Sequence, residues 1–458
     1  MFLKSFFDEK LAQYSYLVGC QRTGEAIIID PARDSSEVIE VAIKEGLTIT
    51  AATETHIHAD FVSGSRQLAH DLGVKLYLSD EGDADWKYQY TEGVNVEMVK
   101  EGSLFSIGNI DFEVLHTPGH TPESISFVVT DRGGGSTKAM GIFTGDFVFV
   151  GDIGRPDLLE KAAGIADTAE KGAHAMFKSV QRFKQLPDYM MVWPGHGAGS
   201  ACGKSLGAVP SSTVGYEKMF NWAMKEETEE LFVKELLADQ PEAPVYFKEM
   251  KKVNKEGPAI IVDHVISVID SKDAFERELQ NESVFVLDTR PSNLVENTLV
   301  PGAINIPFNK SFTNWAGWLV SYDEQMVIIA EEENREEIIA SLQSIHLDSI
   351  KAFIDPSLLK EMDLTTYETI SVETFKQEMP DGYVMDVRND TEWKEGYIEG
   401  AHHHFLGKLR ETTLNKDTPI LMNCKGGARS AIGASVLKSL GYTNVKHMIG
   451  GYDAFIRA

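Results

Sequence analysis

Four short polar stretches, each closing an apolar strand-like run, constrain this 458-residue chain more than any other feature. The first is Thr55-His56-Ile57-His58-Ala59-Asp60-Phe61, which follows the β-rich run from Leu47 to Thr53 and precedes a helix-like run from Val62 to Leu72. Side chains two apart on an extended strand point the same way, so His56 and His58 can face one cavity with Asp60 close behind. Alone, such a stretch is either a metal-ligand cluster or a satisfied polar loop. It is followed by Thr117-Pro118-Gly119-His120-Thr121, Phe143-Thr144-Gly145-Asp146 and Trp193-Pro194-Gly195-His196-Gly197. Four such loops in this order point to a metal site.

The length suggests three domains, and 43% hydrophobic with 25% charged residues is ordinary globular composition. A formal charge of −27 argues against nucleic acid or an anionic membrane as partner, because phosphate surfaces would repel it. The N-terminal Met1 to Phe7 runs directly into Asp8-Glu9-Lys10 without the pattern of a signal peptide. No run approaches the ~20 apolar residues of a membrane span, and a cytoplasmic location is expected. The three cysteines are too few for a disulfide framework. Cys20 reads as core. Cys202 lies in a flexible loop shortly after His196, where a redox or regulatory role is open.

Residues 1–245 alternate strand and helix signals and form the first expected domain. Ala26 to Pro31 reads as a buried strand closed by Asp30, a structural, hydrogen-bonded carboxylate. Pro241, Pro244, Gly257 and Pro258 then punctuate the chain, which puts the first boundary near 245 to 257. The remainder holds two copies of one plan. Residues 258–356 carry Phe285-Val286-Leu287-Asp288-Thr289-Arg290 and then Val300-Pro301-Gly302-Ala303; residues 366–458 carry Val384-Met385-Asp386-Val387-Arg388 and then Ile398-Glu399-Gly400-Ala401.

Only the second copy carries a nucleophile. Ile420 to Asn423 is a strand that runs into Cys424-Lys425-Gly426-Gly427-Ala428-Arg429-Ser430 and a helix. Loop N–H groups, the helix N-terminus, Lys425 and Arg429 create positive potential at the sulfur, which favours the thiolate. Cys424 and Arg429 are therefore the catalytic candidates, and Lys425, Gly426, Gly427 and Ala428 the cradle for an anionic sulfur compound. The first copy has Glu331-Glu332-Glu333 in the corresponding segment, with no cysteine, and is expected to be inactive. His402-His403-His404 does not read as a metal cluster, because consecutive strand residues alternate sides.

The four metal-type loops resemble the metallo-β-lactamase superfamily, in the order and spacing of its glyoxalase II and persulfide dioxygenase branch. The Asp-x-Arg, Gly-Ala and Cys-x-x-Gly-x-Arg features resemble rhodanese domains. A Cys-dependent phosphatase loop typically has one more residue between Cys and Arg. The implied architecture is α/β throughout: an αββα metallo-β-lactamase sandwich followed by two α/β rhodanese-like domains.

Resemblance to the persulfide dioxygenases implies His56, His120 and Asp146 as ligands, with His58, Asp60 and His196 behind them. Two imidazoles and one carboxylate with open positions match the facial triad of non-haem iron, so one Fe(2+) per chain is expected rather than zinc. Two-metal members of the superfamily have His directly after the Asp of H-x-H-x-D. This chain has Phe61, which removes a ligand from the second site. Gly154-Arg155 resembles a segment beside the iron, so Arg155 is a candidate for a substrate carboxylate, with an internal salt bridge to Asp152 or Asp157 as the alternative.

The implied activity is oxidation of a small thiol persulfide by O2 to sulfite and thiol, coupled at Cys424 to sulfur transfer that forms or uses thiosulfate. The resemblance also implies a homo-oligomer, dimer or tetramer. Two other readings stand: a glyoxalase II-like thioester hydrolase, which Phe61 opposes, and a non-enzymatic sulfur carrier, which the metal loops oppose.

Overall fold

A computed structural model describes residues 1–158, 160, 168–204, 206–262 and 265–458. The chain divides into two compact units, residues 1–262 with 344–346, and 263–343 with 347–458.

The first unit contains two six-stranded sheets. One runs in sequence order through β1 (Phe2–Asp8), β2 (Gln13–Cys20), β3 (Glu25–Ile29), β4 (Thr48–Thr53), β5 (Lys75–Ser79) and β6 (Val96–Val99). The other contains β7 (Leu104–Ile107), β8 (Ile110–His116), β9 (Ile125–Asp131), β10 (Gly141–Gly145), β11 (Met191–Pro194) and β12 (Ser212–Thr213), again in order.

Strand alternation explains the layers. On β2 and β3, Tyr16, Val18, Ile27 and Ile29 point into a core shared with Phe112, Phe127 and Phe143 of the opposite sheet. Leu17, Ala26 and Ile28 point the other way, against Val38 and Ala42 of helix α1 (Ser36–Lys44) and Leu68 of α2 (Ser65–Leu72). Behind the second sheet, Val128 and Ile142 pack on Met176, Val180 and Phe183 of α3 (Thr168–Phe183). Burial on both faces is why these strands read as continuous apolar runs. The result is the expected αββα sandwich.

The first unit continues past the expected limit at 245. Helix α4 (Phe247–Glu256) belongs to it, with Phe247, Met250, Val253 and Asn254 buried. Proline and glycine punctuation suggested a linker; the apolar face of α4 keeps the segment docked.

The second unit contains two five-stranded parallel sheets of identical strand order. The first comprises β13 (Ser267–Ile269), β14 (Val284–Asp288), β15 (Ile304–Asn305), β16 (Gln325–Ile329) and β17 (Ile350–Ile354), ordered β13-β17-β16-β14-β15. The second comprises β18 (Glu368–Ile370), β19 (Tyr383–Asp386), β20 (His402–His403), β21 (Ile420–Asn423) and β22 (Val445–Met448), ordered β18-β22-β21-β19-β20. Each Asp-x-Arg closes on itself at the end of a central strand, Asp288 with Arg290 at 2.7 Å and Asp386 with Arg388 at 2.8 Å. Among the described residues no helix is long and apolar enough to cross a membrane.

His447 on β22 is buried between Thr369 and Ser430, and burial pulls its imidazole down to about 4. A folded-state value below the unfolded ~6.5 means that its contribution is complete above ~6.5 and is lost as pH falls towards 4. The second unit should lose up to roughly 3 kcal/mol over that window from this group. Thermal unfolding of the chain and of His447→Gln against pH checks this: the variant should show a shallower acid limb.

Candidate functional site

All four polar stretches lie at or just past the C-terminal ends of strands, β4, β8, β10 and β11, and so gather at one edge of the sandwich. Asp30, just past β3, organises the first of them. It adopts a left-handed backbone conformation with φ of 50°, which Asp tolerates better than most residues. Its Oδ1 accepts the Thr55 N–H at 2.7 Å and lies 3.0 Å from His58 Nε2, while its Oδ2 accepts the Thr55 hydroxyl at 2.9 Å. Burial alone would depress His58, but the carboxylates of Asp30, Asp60 and Glu54 raise it to about 9.

His56, His120 and Asp146 present ligand atoms within 4.8 Å of one another, all buried. Each imidazole is held from its far side. His56 Nδ1 lies 3.0 Å from the Thr55 hydroxyl, and His120 Nδ1–H donates to the Arg155 carbonyl at 3.0 Å. Each Nε2 is thereby turned towards Asp146 Oδ2, at 3.9 and 3.4 Å. Burial holds both rings below their ordinary pKa, aided at His56 by three neighbouring histidines, so both are neutral bases. His56 Nε2 and both Asp146 oxygens are buried without a hydrogen-bond partner. Such orphaned atoms are costly unless something satisfies them, and neutral imidazoles with a carboxylate suit a divalent transition metal.

Close packing makes this arrangement possible. Gly145 has φ of 50°, and a Cβ there would lie 2.2 Å from Thr55 Oγ1. A Cβ on Gly195 would lie 2.6 Å from Asp146 Oδ1.

Asp60, His196 and Cys202 form a second buried trio within the same 4.8 Å limit. His196 donates from Nδ1 to the Ala12 carbonyl, and its Nε2 lies 3.0 Å from Asp60 Oδ2 and 3.4 Å from Asp146 Oδ1. Burial opposes its protonation, but Asp146 and Asp60 outweigh that and hold it well above the ordinary value. Phe61 packs on His58 with centroids 4.3 Å apart and the rings tilted by 37°, and offers no ligand. Cys202 is buried rather than exposed in a flexible loop, and burial together with Asp146 and Asp60 pushes its thiol up to about 12.

The Arg155 guanidinium is engaged within the protein. It is fully buried, with Nε and Nη2 donating to Asp157 at 2.7 and 2.6 Å and Nη2 also donating to the Pro241 carbonyl. The internal pair takes the fork that a substrate carboxylate would need. Its main chain instead fixes the site, receiving His120 Nδ1–H and donating to the Cys202 carbonyl at 3.2 Å. His116 stays at the strand end, its Nε2 2.8 Å from the Pro122 carbonyl.

Three supporting residues were not singled out in the sequence. Glu123 is buried, accepts the Ile57 N–H at 2.7 Å and is raised by burial to about 7. Glu54 accepts from Ser63 and Tyr88 at 2.6 and 2.9 Å. Asn254 of α4 donates to the His58 and Phe61 carbonyls and accepts from the Ser63 N–H. Their only sequence signal is a polar residue inside an otherwise apolar pattern. A cavity of about 400 Å³ opens from His120, Ile57 and Ala59 towards Trp86, Leu158 and α4.

In the second unit Cys424 follows β21 and is buried, its Sγ accepting the Gly427 N–H at 3.1 Å. Gly427, with φ of 101°, leads into helix α5 (Ala428–Ser439). Lys425, Gly426 and Ala428 are exposed around it. The Arg429 fork is engaged by Glu392, with Nη2 to Oε1 at 2.7 Å. The Cys424 and Lys425 carbonyls accept from Tyr452 and Asp453 N–H groups, which ties the loop to the C-terminal segment. In the first copy β16 pairs Ile329 with Asp288 as β21 pairs Asn423 with Asp386, so Ala330 occupies the register position of Cys424. His402, His403 and His404 do not converge: His402 stacks on Tyr383, His404 meets the Tyr383 hydroxyl, and His403 reaches the Arg388 carbonyl.

Residues 9–196 match the metallo-beta-lactamase superfamily, and residues 371–458 match the rhodanese-like domain. A crystal structure of a metallo-beta-lactamase from Staphylococcus aureus subsp. aureus COL superposes with a TM-score of 0.70 at 44% identity, covering 78% of this chain and 99% of that one. The mitochondrial persulfide dioxygenase ETHE1 of Bos taurus is 29% identical over 198 residues, 42% of this chain and 67% of its own length. The hydroxyacylglutathione hydrolase GloC of Haemophilus influenzae is 28% identical over 200 residues, 40% of this chain and 86% of its own length.

Asp30→Ala should cost about 3–5 kcal/mol of unfolding free energy, because it strands buried partners of a charged group. Asp30→Asn keeps one acceptor oxygen and tolerates the left-handed backbone, so it should cost about 1–2 kcal/mol. Denaturant unfolding of the two variants measures the difference.

Proposed function

From a chain that belongs to the metallo-β-lactamase superfamily and ends in a rhodanese-like domain, we propose an enzyme that oxidises a small thiol persulfide with O2 and exchanges sulfane sulfur at Cys424. The observation that carries this reading is the His56, His120 and Asp146 trio, with its unpartnered donor atoms beside an open cavity. Two neutral imidazoles and one carboxylate form a facial ligand set suited to one ferrous ion per chain. When bound, that ion supplies the redox chemistry with O2 that none of these side chains possesses. The persulfide dioxygenase relative supports the same assignment.

The side chains hold and orient. Thr55 and the Arg155 carbonyl set the two imidazole orientations, and Asp60, His196 and His58 support the centre from behind. Ile57, Trp86, Leu158 and Phe247 line the cavity and limit water at the reacting sulfur. Overall, one persulfide, one O2 and one water give one thiol and one sulfite with its protons.

At the second site the Cys424 thiolate attacks the outer sulfur of a persulfide or of thiosulfate. The donor S–S bond breaks, thiolate or sulfite leaves, and the enzyme persulfide passes its sulfur to sulfite or to a thiol. The Gly427 N–H and the start of α5 stabilise the anionic sulfur, and Arg429 with Glu392 borders the loop. Residues 258–356 serve as a rhodanese-like scaffold without the nucleophile.

The test is O2 consumption by the purified, metal-quantified protein with a thiol persulfide, with sulfite and thiosulfate followed together. Asp146→Ala should lose bound iron and at least 100-fold of the O2 uptake while keeping sulfur transfer. Cys424→Ser should abolish transfer and keep O2 uptake. Zinc binding with thioester cleavage and no O2 uptake would favour the hydrolase relative instead. A metal ratio near two that drops to one in Cys202→Ser would place a second ion at Asp60 and His196.

A further inference from the structure

Both arginines beside the Cys424 loop carry a carboxylate partner. Arg388 closes onto Asp386 at 2.8 Å and lies over the ring of Tyr452, whose main-chain N–H donates to the Cys424 carbonyl. Arg429 is paired end-on, its Nη1 and Nη2 donating to the two Glu392 oxygens at 2.5 and 2.7 Å. The Arg429 and Glu392 side chains are only 19% and 17% exposed, so solvent screens their charges little. Burial would raise the Glu392 carboxyl, but Arg429 outweighs it and holds the group below its ordinary value, charged at neutral pH. The same guanidinium is close enough to Cys424 for their charges to interact. An anion at Cys424 therefore meets a cation that is already balanced.

The fold does not require this pair. The two sheets of the unit share one strand order, and the cysteine-less copy keeps the spacing: Arg335 lies five residues after Ala330, as Arg429 does after Cys424. Six residues after the Asp of its Asp-x-Arg, that copy has an exposed Leu294 where the second copy has Glu392. Arg335 turns instead to Asp355, just past β17, at 3.6 Å. The carboxylate at this position accompanies the nucleophile, not the architecture.

We infer that Glu392 determines donor specificity at Cys424, its fixed charge disfavouring doubly charged inorganic donors such as thiosulfate relative to singly charged persulfides. This rests on the sulfur-exchange reading above and adds a residue that discriminates among its substrates. Coulomb energy scales with the product of the charges, so a fixed carboxylate penalises a dianion twice as much as a monoanion in the same place. Were Glu392 only an orienting partner for the Arg429 fork, its loss would weaken the hold on a dianion instead.

Sulfur transfer to cyanide by the full chain, with thiosulfate and with methanethiosulfonate as donors, tests this, because the second donor presents a similar sulfonyl-bound sulfur with one charge fewer. Glu392→Gln removes the charge and keeps an acceptor oxygen for Arg429 and for the capping box with Asn389. It should raise kcat/KM for thiosulfate at least 10-fold, and that for methanethiosulfonate by about the square root of the same factor. Glu392→Asp, which keeps the charge, should keep the parent's donor preference. An unchanged or lower kcat/KM for thiosulfate in a folded Glu392→Gln variant, or equal gains for the two donors, would overturn the inference. Thiosulfate binding to the Cys424→Ser chain, measured by isothermal titration calorimetry, needs no turnover, and adding Glu392→Gln should tighten it at least 10-fold. Absence of transfer from either donor by the parent would count against the sulfur-exchange reading, and the calorimetry would still decide the role of Glu392.

Discussion

The Asp30 carboxylate is the interaction on which the metal end of the molecule depends. It is buried, it sits in a left-handed conformation at the end of β3, and it holds both the main chain and side chain of Thr55 together with His58. Thr55 in turn sets His56, so a contact one strand away fixes the orientation of a candidate ligand. A charge buried this deeply is tolerated because its hydrogen-bonding capacity is used. Asp146 shows the opposite condition, buried with neither oxygen hydrogen-bonded although His120 and His196 lie 3.4 Å away, and that contrast separates the scaffold of the site from the part left available for a ligand.

The same division appears in the second unit. Both sheets there have one strand order, and both Asp-x-Arg pairs close in the same way. Packing of the strands therefore does not require the sulfur loop. Ala330 and three glutamates in place of Cys-Lys-Gly-Gly leave the sheet intact and remove the cysteine and the glycine that allows the loop to turn. The two copies differ in a few residues after one strand, while the packing they share rests on apolar side chains along all of the strands.

Much of this was legible in the sequence because its signals are local. The two copies, the Cys424 loop and the four polar stretches each lie within a few consecutive residues. Arg155 was legible only as two alternatives: its context allowed a substrate carboxylate or an internal pair with Asp152 or Asp157, and the pair with Asp157, two residues on, is joined by a carbonyl at Pro241 that only folding brings close. Helix α4 was obscured for a related reason. Prolines and glycines at both its ends resemble a linker, and the contacts that hold it, from Asn254 to His58, Phe61 and Ser63, span about 190 residues of sequence.

The sequence by itself determined the layered α/β architecture, the duplicated second unit and the loss of a histidine at Phe61, since periodicity and residue identity are properties of the chain alone. The tertiary structure decided which polar residues are used up and which remain free. It closed Arg155 onto Asp157, buried Cys202 beside Asp60 and His196, left the Asp146 oxygens without a hydrogen bond, and set the lysines of α4 along the cavity that reaches His120. Those outcomes depend on long-range packing and on the dielectric environment it creates, neither of which a stretch of sequence contains.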